Sequence, residues 1–475
     1  MQIRISLITI LFILSSCVGP EYKKPEMEVA PQYKEYKEET SNISWKEVSP
    51  SADIDRGQWW KIFNDSILND LIDSLNKNNY SLASSAALYQ QSLAVVDNAR
   101  ASYFPNIGAT MGSTSQKTNE QSTPTKKVEK DTSNHALTLT SSWELDIWGA
   151  TKYEVASDAA AASANRAELA SSKLSLQSSL AQYYFEIRAI DKDQELLDGI
   201  VSDNIKIVNY TKHKYKAGTA DYSSLLAAEN SLYNAKAIAA NNKINRDQYS
   251  HAIAVLVGQS PSIFNLKAIK NYKTHAVNMP ISVPSQLLER RPDIAQAEQL
   301  IIQQNAQIGV AKTAFFPVTS LNASFAAQGN NMGNLLQMPT FTWSLGPQMA
   351  LGLLDGGSRL AQVKIAKKGY ESAVASYKQT ILSAFSEVED QLAAINSLKV
   401  QILALKQSAN NNHKMLSIAQ NQYKAGIVDY SSVLNSQINY NNAMKTLVDT
   451  LSLQRSSEIT LIKALGGGWH DKLEN

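Results

Sequence analysis

Hydrophobic and polar positions along this chain follow two periods, which change over at similar punctuation in each half. Leu137, Leu139, Trp143, Leu145 and Ile147 take odd positions, while Thr138, Thr140, Ser142, Glu144 and Asp146 take even ones. Phe341, Trp343, Leu345, Met349, Leu351 and Leu353 alternate in the same way with Thr342, Ser344, Gln348 and Gly352. Weaker alternation follows Pro105 (Ile107, Ala109, Met111) and Pro317 (Leu321, Ala323, Phe325). A period of two is the signature of a strand with two unlike faces. It predicts strands at about 106–118, 135–148, 317–328 and 341–355, joined by polar loops at 119–134 and 329–340. Elsewhere the period is helical. One helix is expected to end at Ser102 and another to begin near Pro292; proline-free helices are expected over 150–217 and 358–425, with return helices over 223–257 and 431–465. At 1.5 Å per residue the proline-free segments would each reach about 100 Å, far beyond ordinary globular helices. Ala159 to Ala162, with Ala164 and Ala167, keep the first of them slim enough for close packing, as in a long coiled coil or helical barrel.

One stretch occurs twice, each time between a long helix and its return helix. Tyr215-Lys216-Ala217-Gly218, followed by Asp221-Tyr222-Ser223-Ser224, comes back as Tyr423-Lys424-Ala425-Gly426, followed by Asp429-Tyr430-Ser431-Ser432. Gly218 and Gly426 are suited to the left-handed residue that ends a helix, and Asp221 and Asp429 to capping the next one. The duplication divides the chain into a first repeat over 57–257, a Pro-bearing linker over 258–285, a second repeat over 286–465 and a C-terminal tail over 466–475.

Strands of roughly 10 to 14 residues are long enough to cross a bilayer. A half-buried soluble sheet would alternate in the same way. Aromatics near the strand ends, Tyr103, Phe104, Trp148, Phe315 and Phe316, favour the membrane, because such rings settle at its interfaces. A sheet in lipid must close on itself, since an open edge leaves backbone groups unpaired. Four strands cannot close alone, so several copies would share one barrel; three would supply about twelve strands, with two or four also open by counting.

The N-terminus carries an address: Arg4, an apolar run from Ile5 to Leu14, then Leu14-Ser15-Ser16-Cys17, which is read as a signal peptide over 1–16. Residues 17–56 are polar and aperiodic, as in an extended tail. A net charge of +2 and 19% charged residues exclude a strongly basic nucleic-acid-binding chain. Cys17 is the one cysteine, so no intramolecular disulfide can form. No phosphate loop, His-Glu-x-x-His or Gly-x-Ser-x-Gly motif occurs, and no metal or cofactor is expected. His213 and Lys214, near a helix end, read as cations favouring its negative pole. The chain reads as non-enzymatic.

Several segments carry a family likeness. Leu14-Ser15-Ser16-Cys17 resembles a bacterial lipobox, and Cys17 to Tyr22 with Pro25 resembles the mature start of efflux lipoproteins. Trp59-Trp60 with Phe63, Asp65 and Leu68, both Phe-Pro boundaries, Arg290-Arg291-Pro292-Asp293 and Gly466-Gly467-Gly468 extend it across the mature chain. It is similar to the TolC-like outer membrane factors. The resemblance implies an α+β membrane protein: a homotrimer with a twelve-stranded outer membrane barrel, long periplasmic helices, and lipid on Cys17. It implies passive export of solutes from an inner membrane RND-type transporter through a periplasmic adaptor. A type I protein-secretion channel shares the fold class, and a non-conducting lipid-anchored spacer is a reading from a different class. The resemblance places the repeated turns at the periplasmic mouth, with Gly218, Gly426, Tyr215 and Tyr423 at adaptor-docking tips. Asp221, Asp429, Ser432 and Asn435 are cap or gate candidates. Arg290 and Arg291 are given a structural role or that of ordinary solvated charges.

Overall fold

The computed structural model describes residues 19–27, 32–36, 57–123, 126–269, 272, 291–334 and 341–467, with 118–123 and 126–130 as backbone alone. The signal segment with Cys17, most of the tail, most of the linker and Gly468 onward lie outside the described residues. A 3-10 turn, Trp59–Phe63, leads to helices α1 (Ser66–Asn78) and α2 (Tyr80–Ala101), then strands β1 (Asn106–Thr123) and β2 (Lys126–Glu144). Helices α3 (Ala150–Lys216) and α4 (Tyr222–Leu256) complete the first half. The second half runs α5 (Pro292–Thr313), β3 (Val318–Gly329), a 3-10 turn Met332–Asn334, β4 (Phe341–Ala350), α6 (Ser358–Lys424) and α7 (Tyr430–Ala464). The long helices have 67 residues each and the return helices 35 each, so the two helical hairpins match in length as well as in turn sequence.

Local chemistry sets the boundaries. The helical pattern before Ser102 is split: Asp65 accepts from the Ile67 and Leu68 amides to start α1, and Asn79 starts α2 by accepting from the Leu82 amide at 2.9 Å. Asn79 also donates to the Leu256 carbonyl at 2.8 Å. Trp59 and Trp60 therefore open a 3-10 turn and not an α-helix, and both are buried. Asp146 caps α3 by accepting from the Thr151 and Lys152 amides. Asp355 does the same for α6, accepting from Gly357 and Arg359. These caps end the alternating pattern early: β2 stops at Glu144, short of 148, and β4 at Ala350, short of 355.

The four strands form one antiparallel sheet in the order β1-β2-β3-β4. The first hairpin is longer than the pattern suggested. Its ladder continues through Thr118↔Lys130 to Thr123↔Lys126, so most of the expected loop over 119–134 is strand. Polar residues hid it: backbone pairing needs no apolar face when both faces of the ribbon are polar. β3 reaches only His135↔Gly329, so the outer part of this hairpin stands as two strands.

By packing, the chain divides into two compact units. One is built on Leu88–Arg166 and Gln296–Lys378 with the chain up to Glu26; the other on Met27–Ala87, Ala167–Ala295 and the chain from Gln379. In the first unit the described tail is pinned to helices: the Gly19 amide donates to Tyr153 Oη at 2.9 Å, and Tyr22 and Lys24 both reach Glu298. In the second unit, Glu389 accepts from the Lys34 and Glu35 amides at 2.8 and 2.9 Å. Phe63 packs 4.9 Å from Phe185, and Tyr184 donates to Asp65 at 2.6 Å. Arg291 is buried there, not solvated. Its guanidinium forks onto both oxygens of Asp293, pairs with Glu387 at 2.6 Å and donates to the Ala464 carbonyl at 3.1 Å. One side chain thus ties the start of α5 to α6 and to the end of α7.

Candidate functional site

Two features carry functional information, the sheet and the repeated turns. On the sheet, pairing places Ala109, Leu139, Phe325 and Trp343 in one row across all four strands. Met111, Leu137, Ala327 and Phe341 form the next row, and Ile107, Ser141, Ala323 and Leu345 another. This face is apolar and much of it is uncovered: Trp343 is 78% exposed and Met349 63%. The opposite face holds Thr138, Thr140, Asn322, Ser324, Thr342 and Ser344, with Ser324 and Ser344 hydroxyls 2.8 Å apart and Ser142 donating to Asn322 at 3.0 Å. A covered soluble sheet would bury its apolar face; this one leaves it to a nonpolar medium. At the strand ends, Trp148 stacks on Phe316 at 4.8 Å and donates to the Pro317 carbonyl, while Phe104 is exposed. Among the described residues, no helix is long and apolar enough to cross a membrane.

The turns are alike in backbone. Gly218 has φ 70° and Gly426 φ 72°. The Thr219 amide reaches back to the Lys214 carbonyl and the Ile427 amide to the Gln422 carbonyl, both at 2.9 Å. These long-reach bonds across a left-handed glycine satisfy the last carbonyls of each long helix. Here the likeness stops. Asp221 accepts from the Ser224 amide at 2.7 Å, and hydrogen bonds from Ser224 and Ser223 hold its carboxyl below the usual range. Asp429 stands at the corresponding N-cap without any side-chain cap bond, so the expected cap holds in one copy and fails in the other.

The tyrosines diverge in the same way. Tyr215 is 43% exposed and packs on Tyr222 of its own hairpin at 5.6 Å. Tyr423 turns toward the other hairpin. Its ring lies 5.2 Å from Tyr210 on α3 and 5.5 Å from Tyr430 on α7, and burial pushes its hydroxyl up to about 12. Lys214 Nζ sits over both Tyr210 and Tyr423, 5.3 and 5.0 Å from their centroids. Tyr430 packs with Tyr423 against Leu416, Ala419 and Val433, and burial raises its hydroxyl too. Asp429, Ser432 and Asn435 are exposed, spaced by three on one side of α7's first turns, and Ile427 at the turn is 72% exposed. The structure therefore brings Tyr423 together with two residues not singled out from sequence as partners, Tyr210 and Lys214. Their signal was the aromatic-cation spacing of Tyr210 and Lys214, one helical turn apart. Among the described residues, no group of His, Cys, Asp and Glu is arranged to hold a metal.

Residues 71–259 and 283–467 match the family described as outer membrane efflux protein. The chain belongs to that family. Over 474 residues it is 29% identical to the probable efflux pump outer membrane protein TtgC of Pseudomonas putida, covering 98% of this chain and 96% of the relative. It is 25% identical over 471 residues to the probable outer membrane lipoprotein SilC of Salmonella typhimurium, covering 98% and 99%. Among solved structures, the Campylobacter jejuni outer membrane channel CmeC superposes with a TM-score of 0.83 at 24% identity, covering 96% of each chain. The protein is an outer membrane efflux channel with the TolC-like fold: a helical barrel and membrane strands, four of them from each chain. The uncovered apolar face of the sheet is what an outer membrane protein requires, and each repeated turn joins a long helix to its return helix.

Proposed function

We propose that three copies assemble into one channel whose twelve strands, four from each chain, close a single barrel in the outer membrane, with the long helices forming a duct in the periplasm. The observation carrying this reading is the four-stranded sheet with an uncovered apolar face and, among the described residues, two edges, β1 and β4, without a further strand. In lipid an unpaired backbone group costs several kcal/mol, so β1 of one copy pairing with β4 of the next removes the largest penalty the single chain would carry. Cys17, released as the mature N-terminus, carries the lipid, and residues 17–56 tether it to the helices. Two repeats, 57–257 and 286–465, supply equivalent hairpins, so the assembly presents six turns in a ring.

The duct is passive and non-enzymatic. Solutes enter from an inner membrane RND-type transporter by way of a periplasmic adaptor that docks on the turns. Gly218, Gly426 and the exposed Tyr215 form the docking surface. Tyr423 acts from behind, fixing one hairpin to the other, and Asp429, Ser432 and Asn435 line the constriction. Mass measurement in detergent tests the assembly: a trimer is expected, and a stable monomer would sink the shared barrel. Planar-bilayer conductance separates a channel from a non-conducting spacer. A deletion strain that loses drug or metal resistance supports efflux, whereas loss of a secreted protein alone supports type I secretion. A Cβ at Gly426 meets nothing within 4 Å, so Gly426→Asp perturbs the surface and the local backbone without a clash. Unchanged adaptor binding and resistance in that variant would refute the docking role.

A further inference from the structure

Within the second unit, α3, α4 and α7 line a half-open cavity of about 400 Å³, a size that accommodates a small organic molecule. Leu197, Ile200 and Ile438 form much of its apolar wall. Three acceptor oxygens on its lining side chains receive no hydrogen bond from the described residues: Asp193 Oδ1, Asn204 Oδ1 and Gln437 Oε1. Asn204 and Gln437 are only 4% and 7% exposed, and their amide nitrogens are already engaged, by the Ile200 carbonyl and by Asn441. Buried acceptors left without donors cost free energy unless a bound group supplies the donors.

The charges around Asp193 have one sign in excess. From α3 it is faced by Glu186, and from α7 by Asp449 and by Lys445, whose ammonium is held by Asp449 at 2.6 Å. α4 contributes carboxamides and the hydroxyl of Tyr249 but no charge. Three carboxylates thus stand against one ammonium that is already paired. Burial and the neighbouring Asp449 raise the Asp193 carboxyl to about 6, the response of a carboxylate in need of a cation.

We propose that this cavity binds a compact amphipathic organic cation bearing N–H donors, its apolar body against the Leu197, Ile200 and Ile438 wall and its charge at Asp193. From Asp193 to Asn204 the site spans eleven residues of α3, about 16 Å, which leaves room for a small fused-ring amine. The inference goes beyond the passive duct: it concerns equilibrium binding by the chain and depends neither on transport nor on an adaptor.

The test is fluorescence titration of the full-length protein in detergent at pH 7.5 with proflavine, a planar cation with amine donors, against acridine, its neutral counterpart at that pH. Saturable binding of one proflavine per chain is expected, with acridine about ten-fold weaker or more. Asp193→Asn is expected to weaken proflavine about ten-fold and Gln437→Leu several-fold, with unfolding midpoints measured alongside to show both variants folded. Acidification below the Asp193 titration should weaken the wild type and leave Asp193→Asn flat. Ile238, 56% exposed and on the lining, supplies an independent reporter. Ile238→Cys should react with a maleimide in the intact assembly, and proflavine should slow the reaction. Equal affinities for all variants, or equal binding of acridine, would overturn the proposal. Complete protection of Ile238→Cys without proflavine would overturn it as well, by showing that another polypeptide covers the cavity.

Discussion

Tyr215 and Tyr423 occupy the same place in identical four-residue stretches, yet truncating them should have unequal effects. Tyr423 has ring contacts at 5.2 and 5.5 Å and a cation contact at 5.0 Å. Aromatic pairs contribute about 0.5–1.5 kcal/mol each beyond area burial, and a partly exposed cation over a ring about 0.5–1 kcal/mol. Of these, the Tyr210 and Lys214 contacts cross between hairpins, while the Tyr430 contact lies within the second hairpin as Tyr215–Tyr222 does within the first, so Tyr423→Ala should loosen the link by about 1–2.5 kcal/mol, before any area term. Tyr215 has one ring contact, at 5.6 Å with a residue of its own hairpin, so Tyr215→Ala should cost about 0.5–1.5 kcal/mol and leave the link intact. Hydrogen exchange reads the difference directly. If local opening dominates, amides of 205–230 and 415–440 should exchange roughly 5- to 70-fold faster in Tyr423→Ala, while in Tyr215→Ala the acceleration stays near ten-fold or below and confined to the first hairpin. Single-channel conductance supplies a second readout, with more frequent openings expected only for Tyr423→Ala. Equal acceleration in both hairpins by both substitutions would refute the claim that the second copy of the turn is held by the first.

Other predictions follow from packing and charge. Arg291→Ala leaves Glu387, Asp293 and the Ala464 carbonyl without their shared guanidinium; because the two carboxylates are partly exposed, the cost by chemical unfolding should be about 1–3 kcal/mol, and Arg291→Lys should recover only part of this, because an ammonium cannot fork. Gly309→Ala would place a Cβ 2.5 Å from the Tyr153 ring, which receives the Gly19 amide, and should lower the thermal midpoint by an amount equivalent to about 1–3 kcal/mol. Asp193 titrates near 6 in the folded chain against 3.8 as its ordinary value, so the folded state holds this proton more tightly. Its contribution to stability should increase as pH falls through 6 and level off below about 4, the reverse of a salt-bridged carboxylate. Asp193→Asn should raise the midpoint at pH 7 and remove this slope.

The fold was largely legible because its signals are local. The period-two segments, the two proline-free helices, and the left-handed glycines at 218 and 426 all follow from backbone and nearest-neighbour preferences; the helices and glycines appear at their expected places, and the apolar-alternating parts of the strands lie largely within the observed sheet. The outer half of the first hairpin was not legible, since strands polar on both faces carry no period. The break at Asn79 was not legible either, because its amide answers to Leu256, far away in sequence. Family membership restates the same local pattern at the scale of the whole chain.

At the repeated turn the division is sharper. The sequence by itself determined the glycine-ended turn and the candidate aspartate cap, identically for both copies. Only the tertiary structure decided that Asp221 caps while Asp429 does not, and that Tyr215 faces outward while Tyr423 is clasped by Tyr210, Lys214 and Tyr430. Tyr423 has a role that Tyr215 lacks because Tyr210 and Lys214 reach it from the other hairpin, and no reading of neighbours along the chain specifies which copy lies against which. Arg291 shows the same limit: its sequence neighbours offer Asp293, but burial and the reach to Glu387 and Ala464 turn a surface-like arginine into a tie between three helices.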